Sequence, residues 1–266
     1  MPCPTRIHPL RKPPNHQPPI PRWQLTLPHD VDRVFISYIG IEQHDNSSAA
    51  THAKQQLTRK IQQWVASSSA VSESFTTIPD SDSHDIQEEP TTIWVCYWTD
   101  LTHHTNALSS LNLHALYSAL SPTSAPKLGL WQETFCTSTR RLETNYSGLD
   151  YLPGLARLPR TSTTPHDLST YWGAARDRIP DSAVDLFPRQ DDAGAAIRLQ
   201  PPQPHPVPRG LGQRLKGSNV GRENMVHIRS GQYWQNCGQQ EADAYEGKLE
   251  PSLRAGMQFL GKNLSL

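Results

Sequence analysis

The amino-acid sequence predicts an α+β fold, and three observations carry that prediction. Between residues 31 and 137, short β-rich runs and helical patterns alternate as β, α, β, α, β, the order expected of a ferredoxin-type sandwich. The helical stretches space their apolar residues along one face, as helices lying on a sheet do. Apolar residues make up only 35% of the chain and 24 of its 266 residues are Pro, which suggests a folded body diluted by loose polar segments.

Residues 1–28 hold nine prolines. Proline fixes φ and offers no backbone donor, so this stretch reads as an extended arm or a disordered one. Trp23, which ends the run Pro18-Pro19-Ile20-Pro21-Arg22-Trp23, is a large aromatic able to pin that arm to the body. Residues 31–41 (VDRVFISYIGI) are β-branched and aromatic with Val34, Ile36 and Tyr38 in period two, a strand. Leu57, Ile61 and Trp64 then mark one face of a helix over residues 47–66, with Ser47 or Ser48 as its N-cap. Residues 67–90 are rich in Ser, Asp and Glu and read as loop. A compact strand at 93–98 (IWVCYW), a helix over 104–120 with Leu108, Leu111 and Leu116, and a strand at 129–137 complete the first half.

The second half restarts at Tyr171-Trp172-Gly173 and passes into a Pro- and Gly-rich loop over 187–221. Residues 224–228 (NMVHI) are a short strand candidate. Residues 239–260 read as a helix with Tyr245, Leu249, Leu253, Met257 and Leu260 on one face, and Pro251 should bend it. The expected organisation is therefore an arm at 1–28, a first half at 29–160 and a second half at 161–266. A second sandwich built like the first would need another strand after Leu260, because its sheet would otherwise keep an open edge. A missing C-terminal piece is the expectation.

Composition excludes several function classes. Lys plus Arg equals Asp plus Glu at 25 each, so no global field draws nucleic acid or an anionic membrane. The basic cluster between Arg209 and Arg222 lacks interleaved aromatics and reads as a solvated loop. Cys3, Cys96, Cys136 and Cys237 form no CxxC pair, which argues against a zinc site or disulfide framework. No apolar run is long enough to span a bilayer and no secretory signal is present, so a cytoplasmic protein is expected. His103 and His104 are adjacent and point apart on a helix, a poor chelate, and no HExxH occurs; the twelve histidines read as scattered surface or loop residues. There is no GxSxG elbow, and the runs PRGLGQR and LKGSNVG match neither phosphate-binding pattern.

Two groupings remain. Arg176-Asp177-Arg178 follows Tyr171-Trp172-Gly173, and Arg229-Ser230-Gly231-Gln232 precedes Tyr233-Trp234. An Arg and a Ser hydroxyl at strand ends could converge on a small polar ligand as fixed cation and short donor. On their residues alone, a surface ion-pair cluster and a turn are the better account.

With their neighbours, these groupings resemble a family. YWGAARDRIP at 171–180 and IRSGQYW at 228–234 are similar to the two central motifs of the haem-dependent aldoxime dehydratases. PPIPRW at 18–23, SYIGI at 37–41, YWTD at 97–100, GLWQETF at 129–135, RLETNY at 141–146 and KLEPSLRAGMQFL at 248–260 follow the same family in order. The resemblance implies a dimeric α+β barrel of two ferredoxin-like halves, the second incomplete here, and a homodimer. It implies haem b with ferrous iron as cofactor and a small-molecule aldoxime as partner, converted to a nitrile with loss of water. Ser230 falls on the serine that hydrogen-bonds the oxime hydroxyl, Arg178 on the arginine that orients and polarises it, and Glu143 on a carboxylate of the distal network. The family's proximal iron-binding His and distal acid His have no counterpart in this chain, so no metal ligand is assigned. His227 and His166 lie near the motifs but not where the family places its ligand. The expectation is thus a truncated family member, itself inactive. The alternatives are a non-catalytic α+β module that binds a ligand or partner, or a gene whose last coding segment has been missed.

Overall fold

A computed structural model describes residues 6–68, 71–77, 89–187, 226–231, 233 and 236–263. Its elements run β1 (Arg22–Thr26), β2 (Arg33–Gln43), α1 (Ser48–Ser67), β3 (Val71–Thr76), β4 (Glu89–Trp98), α2 (Leu101–Leu111), α3 (Leu113–Ser118), β5 (Leu128–Ser138), β6 (Ser162–His166), α4 (Ala174–Arg178), α5 (Gln239–Ala244) and α6 (Glu250–Asn263). Contacts divide the chain into two units, the first with the described residues up to Phe187 and the second with those from Val226.

In the first unit β2 is the spine. It pairs antiparallel with β4 on one side and β5 on the other, and β3 adds to β4, giving the order β3-β4-β2-β5. Elements β2 to β5 thus form a β-α-β-β-α-β run with the strand order of a ferredoxin-like split β-α-β. Successive side chains of β2 alternate between faces. Phe35, Ile39 and Ile41 enter a core with Ala53, Leu57, Ile61 and Trp64 of α1 and Ala107 and Leu111 of α2. Val34 and Ile36 face the other way, against Val95, Tyr97 and Leu158. Ser47 caps α1, its hydroxyl accepting the Ala50 N–H at 3.3 Å.

Three expectations need correction. Residues 67–90 are not all loop, because β3 lies there. Val71, Glu73 and Phe75 share one face of an outer strand whose ladder partner is β4, and an outer strand tolerates the polar alternation that imitates a loop. The helix expected over 104–120 is two helices. Asn112 adopts a left-handed φ of 39° that ends α2, while its side chain accepts the Ala115 N–H at 3.0 Å and caps α3. Nor is His104 a surface histidine. Its ring stacks on Phe35 at 5.0 Å and meets Trp98 edge-on at 5.1 Å, with Nε2 3.3 Å from Ser37 Oγ.

Burial holds the His104 pKa below its ordinary 6.5. The unfolded chain therefore binds more protons than the native one as pH falls through 6.5, and stability is lost in that window and kept above it. Chemical denaturation at pH 5 and pH 7.5 should show a larger acid loss in the wild type than in His104→Leu. Equal losses would show that this imidazole does not report on folding.

The described part of the Pro-rich stretch, 6–28, is an extended arm docked on the body, not a disordered one. β1 pairs antiparallel with β6, Trp23 lying opposite Pro165, and Trp23 exchanges backbone bonds of 3.0 and 2.8 Å with Tyr146. Ahead of it, the Ile7 and His8 N–H groups both donate to Ala183 O, at 2.8 and 3.0 Å. Residues 161–187 consequently pack with the first unit, whereas the expected division at 160/161 grouped them with the C-terminal residues.

In the second unit, residues 226–228 are exposed and form no strand, while 224 and 225 lie outside the described residues. Val226 and Ile228 are β-branched, but a ladder requires a neighbour, and among the described residues none bonds to them. α5 and α6 are joined by a π-helical turn, Tyr245–Leu249, in which the Glu250 N–H donates to Tyr245 O. The wider turn directly precedes Pro251, the residue expected to disturb the helix and unable to donate. Leu249, Leu253 and Met257 are exposed. No described helix is long and apolar enough to cross a membrane. Of the loop expected over 187–221, everything after Phe187 lies outside the described residues, as does the basic cluster between Arg209 and Arg222.

Candidate active site

Arg178 is the last residue of α4, and Glu143 follows a 3-10 turn at Thr139–Arg141. Two aspartates bring these segments together. Asp181 accepts Arg140 Nε at 2.6 Å and Arg141 Nε at 2.8 Å, and Asp185 accepts Arg141 Nη2 at 2.6 Å. The Arg141 guanidinium also lies over the Phe187 ring at 4.6 Å. With the two turns clamped, Arg178 Nε donates to Glu143 Oε1 and Nη1 donates to Leu168 O at 2.6 Å. The Arg178 side chain is 9% exposed and that of Glu143 33%. Two of its nitrogens are thus committed to fixing the guanidinium, and no bond from Nη2 is found among the described residues. A planar cation held in this way can offer its remaining donors to a small oxygen ligand.

His166 lies at the end of β6. Its Nδ1 accepts the Leu168 N–H at 3.1 Å, which assigns the ring proton to Nε2. Nε2 is buried without a hydrogen-bond partner among the described residues. Burial first, and then the neighbouring Arg178 charge, lower the His166 pKa, so the ring stays neutral. Tyr146 is half-buried nearby and its phenol is pushed up to about 12, chiefly by desolvation, with its hydroxyl 3.3 Å from Pro153 O.

The Arg176-Asp177-Arg178 run is not the surface cluster that its composition allows. The Asp177 side chain is 0% exposed and that of Arg176 13%. Asp177 was not singled out from the sequence, because a carboxylate between two arginines looks solvated. The signal available was Tyr171, six residues earlier, whose hydroxyl donates to Asp177 Oδ2 at 2.8 Å. The structure therefore brings Arg178 and Glu143 together. Ser230 belongs to the second unit, exposed and outside regular structure. No disulfide is formed by Cys96, Cys136 or Cys237.

The three histidines nearest the motifs or the core do not fit an iron ligand. His166 Nδ1 accepts a backbone N–H, so Nε2 keeps the ring proton and offers no lone pair to a metal. His104 is packed into the core, and His227 is exposed in the second unit. Among the described residues no group of three or more His, Cys, Asp or Glu is placed to hold a metal ion. The cavity beside His166, about 340 Å³, is lined by Pro21, Arg22, Pro165, His166 and Asp167.

Comparison with known proteins gives the family and the fold. The family described as haem-containing dehydratase matches residues 37–265. An aliphatic aldoxime dehydratase of Pseudomonas chlororaphis is 25% identical over 264 residues, covering 98% of this chain and 69% of the relative. A phenylacetaldoxime dehydratase of Bacillus sp. is 27% identical over 254 residues, covering 95% of this chain and 66% of the relative. The chain thus spans about two thirds of the length of these curated relatives. A crystal structure of an aldoxime dehydratase shares the fold with a TM-score of 0.63 at 20% identity, over 97% of this chain and 69% of that one. Another, in complex with butyraldoxime, gives 0.62 at 18% identity, over 96% and 66%. With a family match across most of its residues, the chain belongs to the haem-containing dehydratases.

Proposed function

We propose that this chain carries the proton-handling side of an aldoxime dehydratase, which removes water from R–CH=N–OH to leave a nitrile, with haem b, its iron ferrous, as the cofactor of the full reaction. The observation behind this reading is the Arg178–Glu143 pair, oriented by Leu168 O and largely withdrawn from water. Cleaving the N–O bond leaves negative charge on the departing oxygen, and a guanidinium fixed in advance stabilises that charge without reorganising. Glu143 keeps the guanidinium aimed. Ser230 is proposed, from the motif in which it stands, as a hydrogen-bond donor to the oxime hydroxyl. The sheet of the first unit is read as one of two ferredoxin-like halves of a dimeric α+β barrel, assembled as a homodimer in the cytoplasm.

Because iron ligation does not fit the described residues, no step is derived through the haem, and the 266-residue chain is expected to bind aldoxime without sustained turnover. In full-length chain supplemented with haem, butyraldoxime should shift the Arg178 side-chain resonance, and Arg178→Lys should weaken binding about tenfold, the order of one charge-assisted hydrogen bond. Robust nitrile formation from phenylacetaldoxime would overturn the inactivity and strengthen the dehydratase reading. Absence of both binding and turnover would sink the dehydratase reading.

A further inference from the structure

We propose that Asp177 is a positioning residue: its buried carboxylate, grasped by the N-terminal arm and by Tyr171, fixes the helical turn that ends in Arg178. The consequence for chemistry rests on the dehydratase reading of Arg178, while the geometry stands independently of it.

α4 has five residues, and its N-cap, Gly173, contributes no side-chain bond. A helix so short has no stability of its own, because nucleation costs more than one turn returns. Something outside must hold it. Asp177 Oδ2 accepts the Arg11 backbone N–H at 2.7 Å and the Tyr171 hydroxyl at 2.8 Å, while Oδ1 lies 3.5 Å from Arg176 Nη1. A carboxylate that is 0% exposed is tolerated only while such partners are in place.

The arm supplies the rest of the clamp. Lys12 pairs with Asp167, and His16 Nε2 lies 2.8 Å from Ser169 O. The His16 ring meets Tyr171 edge-on at 5.1 Å, which orients the phenol toward Asp177. Gly173 is required twice over: its φ is +95°, and a Cβ there would sit 2.6 Å from Arg11 Cδ. Tyr171, Gly173 and Asp177 therefore do one job, seating the arm against α4. Arg178 follows Asp177 directly, so its backbone position is inherited from that seat, and Glu143 and Leu168 then set the direction of the guanidinium.

The test reads Arg178 itself. In full-length chain labelled with 15N-arginine, the Arg178 Nε–H is assigned by its loss in Arg178→Lys, and its exchange with water is measured. Tyr171→Phe removes one hydroxyl and leaves the ring against His16. It should speed that exchange about tenfold, the factor equivalent to one hydrogen bond's net contribution. Asp177→Asn should speed it further, with the backbone amides of β2 still exchanging at wild-type rates. Unchanged Arg178 exchange in Tyr171→Phe would overturn the proposal even if Asp177→Asn failed to fold. Equal acceleration at Arg178 and throughout β2 would also overturn it, since that is the mark of a merely structural residue. If aldoxime binding fails while the exchange result holds, the dehydratase reading falls and the positioning role stands.

Discussion

Ile39→Ala should lower the stability of the first unit by about 3–4 kcal/mol, the range for emptying a fully buried aliphatic site. Ile39 is 0% exposed on the central strand β2. Both neighbours of that strand, β4 and β5, are bonded to it along its length, so they cannot close in to fill the space. Urea denaturation followed by far-UV circular dichroism is the measurement, with the slope expected to stay constant while the midpoint falls. A loss below about 1 kcal/mol would mean that the helices above the sheet collapse onto the vacancy more freely than their packing indicates.

Gly40→Val is the second large effect, and it works through crowding. Gly40 and Trp131 are paired in register between β2 and β5. The indole lies directly across the glycine, so a Cβ at residue 40 would sit 2.1 Å from Trp131 Cε2. An aromatic laid over a strand glycine covers backbone that no side chain shields. Adding an isopropyl group must expel Trp131, at a cost of about 3 kcal/mol. Trp131→Ala removes the obstacle in advance. In a double-mutant cycle the penalty at residue 40 should shrink by more than half in that background. Additive penalties would show that the two residues are not in contact in solution.

The parts of the fold visible in the sequence were those with a strong apolar period. β2, α1 and β4 bury one face or both, so burial wrote itself into the residue pattern, and β5, an outer strand, still carries Leu128, Leu130, Trp131 and Phe135. β3 did not, because an outer strand needs only one bonded neighbour and can alternate Ser with Val, Glu and Phe. The docking of the arm was illegible for a different reason. It is made by backbone N–H groups of Ile7, His8 and Arg11, which every sequence possesses. At the candidate site, resemblance supplied Arg178, Glu143 and Ser230 as residues. The contact between Arg178 and Glu143 could not be read from spacing, since it depends on Asp181 and Asp185 drawing two turns together. Asp177 was hidden because a charged triplet is ordinarily solvated, and only burial reveals otherwise.

The arm also dictates an order of events during synthesis. Arg11 is made 166 residues before the Asp177 that receives it, and β1 waits nearly as long for β6. The four-stranded sheet can form while the ribosome is still translating, because its strands emerge in close succession. The partners of residues 7–16, namely Ala183, Asp177, Asp167 and Ser169, all follow that sheet in the sequence. The arm can therefore seat only after the strands are made, a late latch on Arg178.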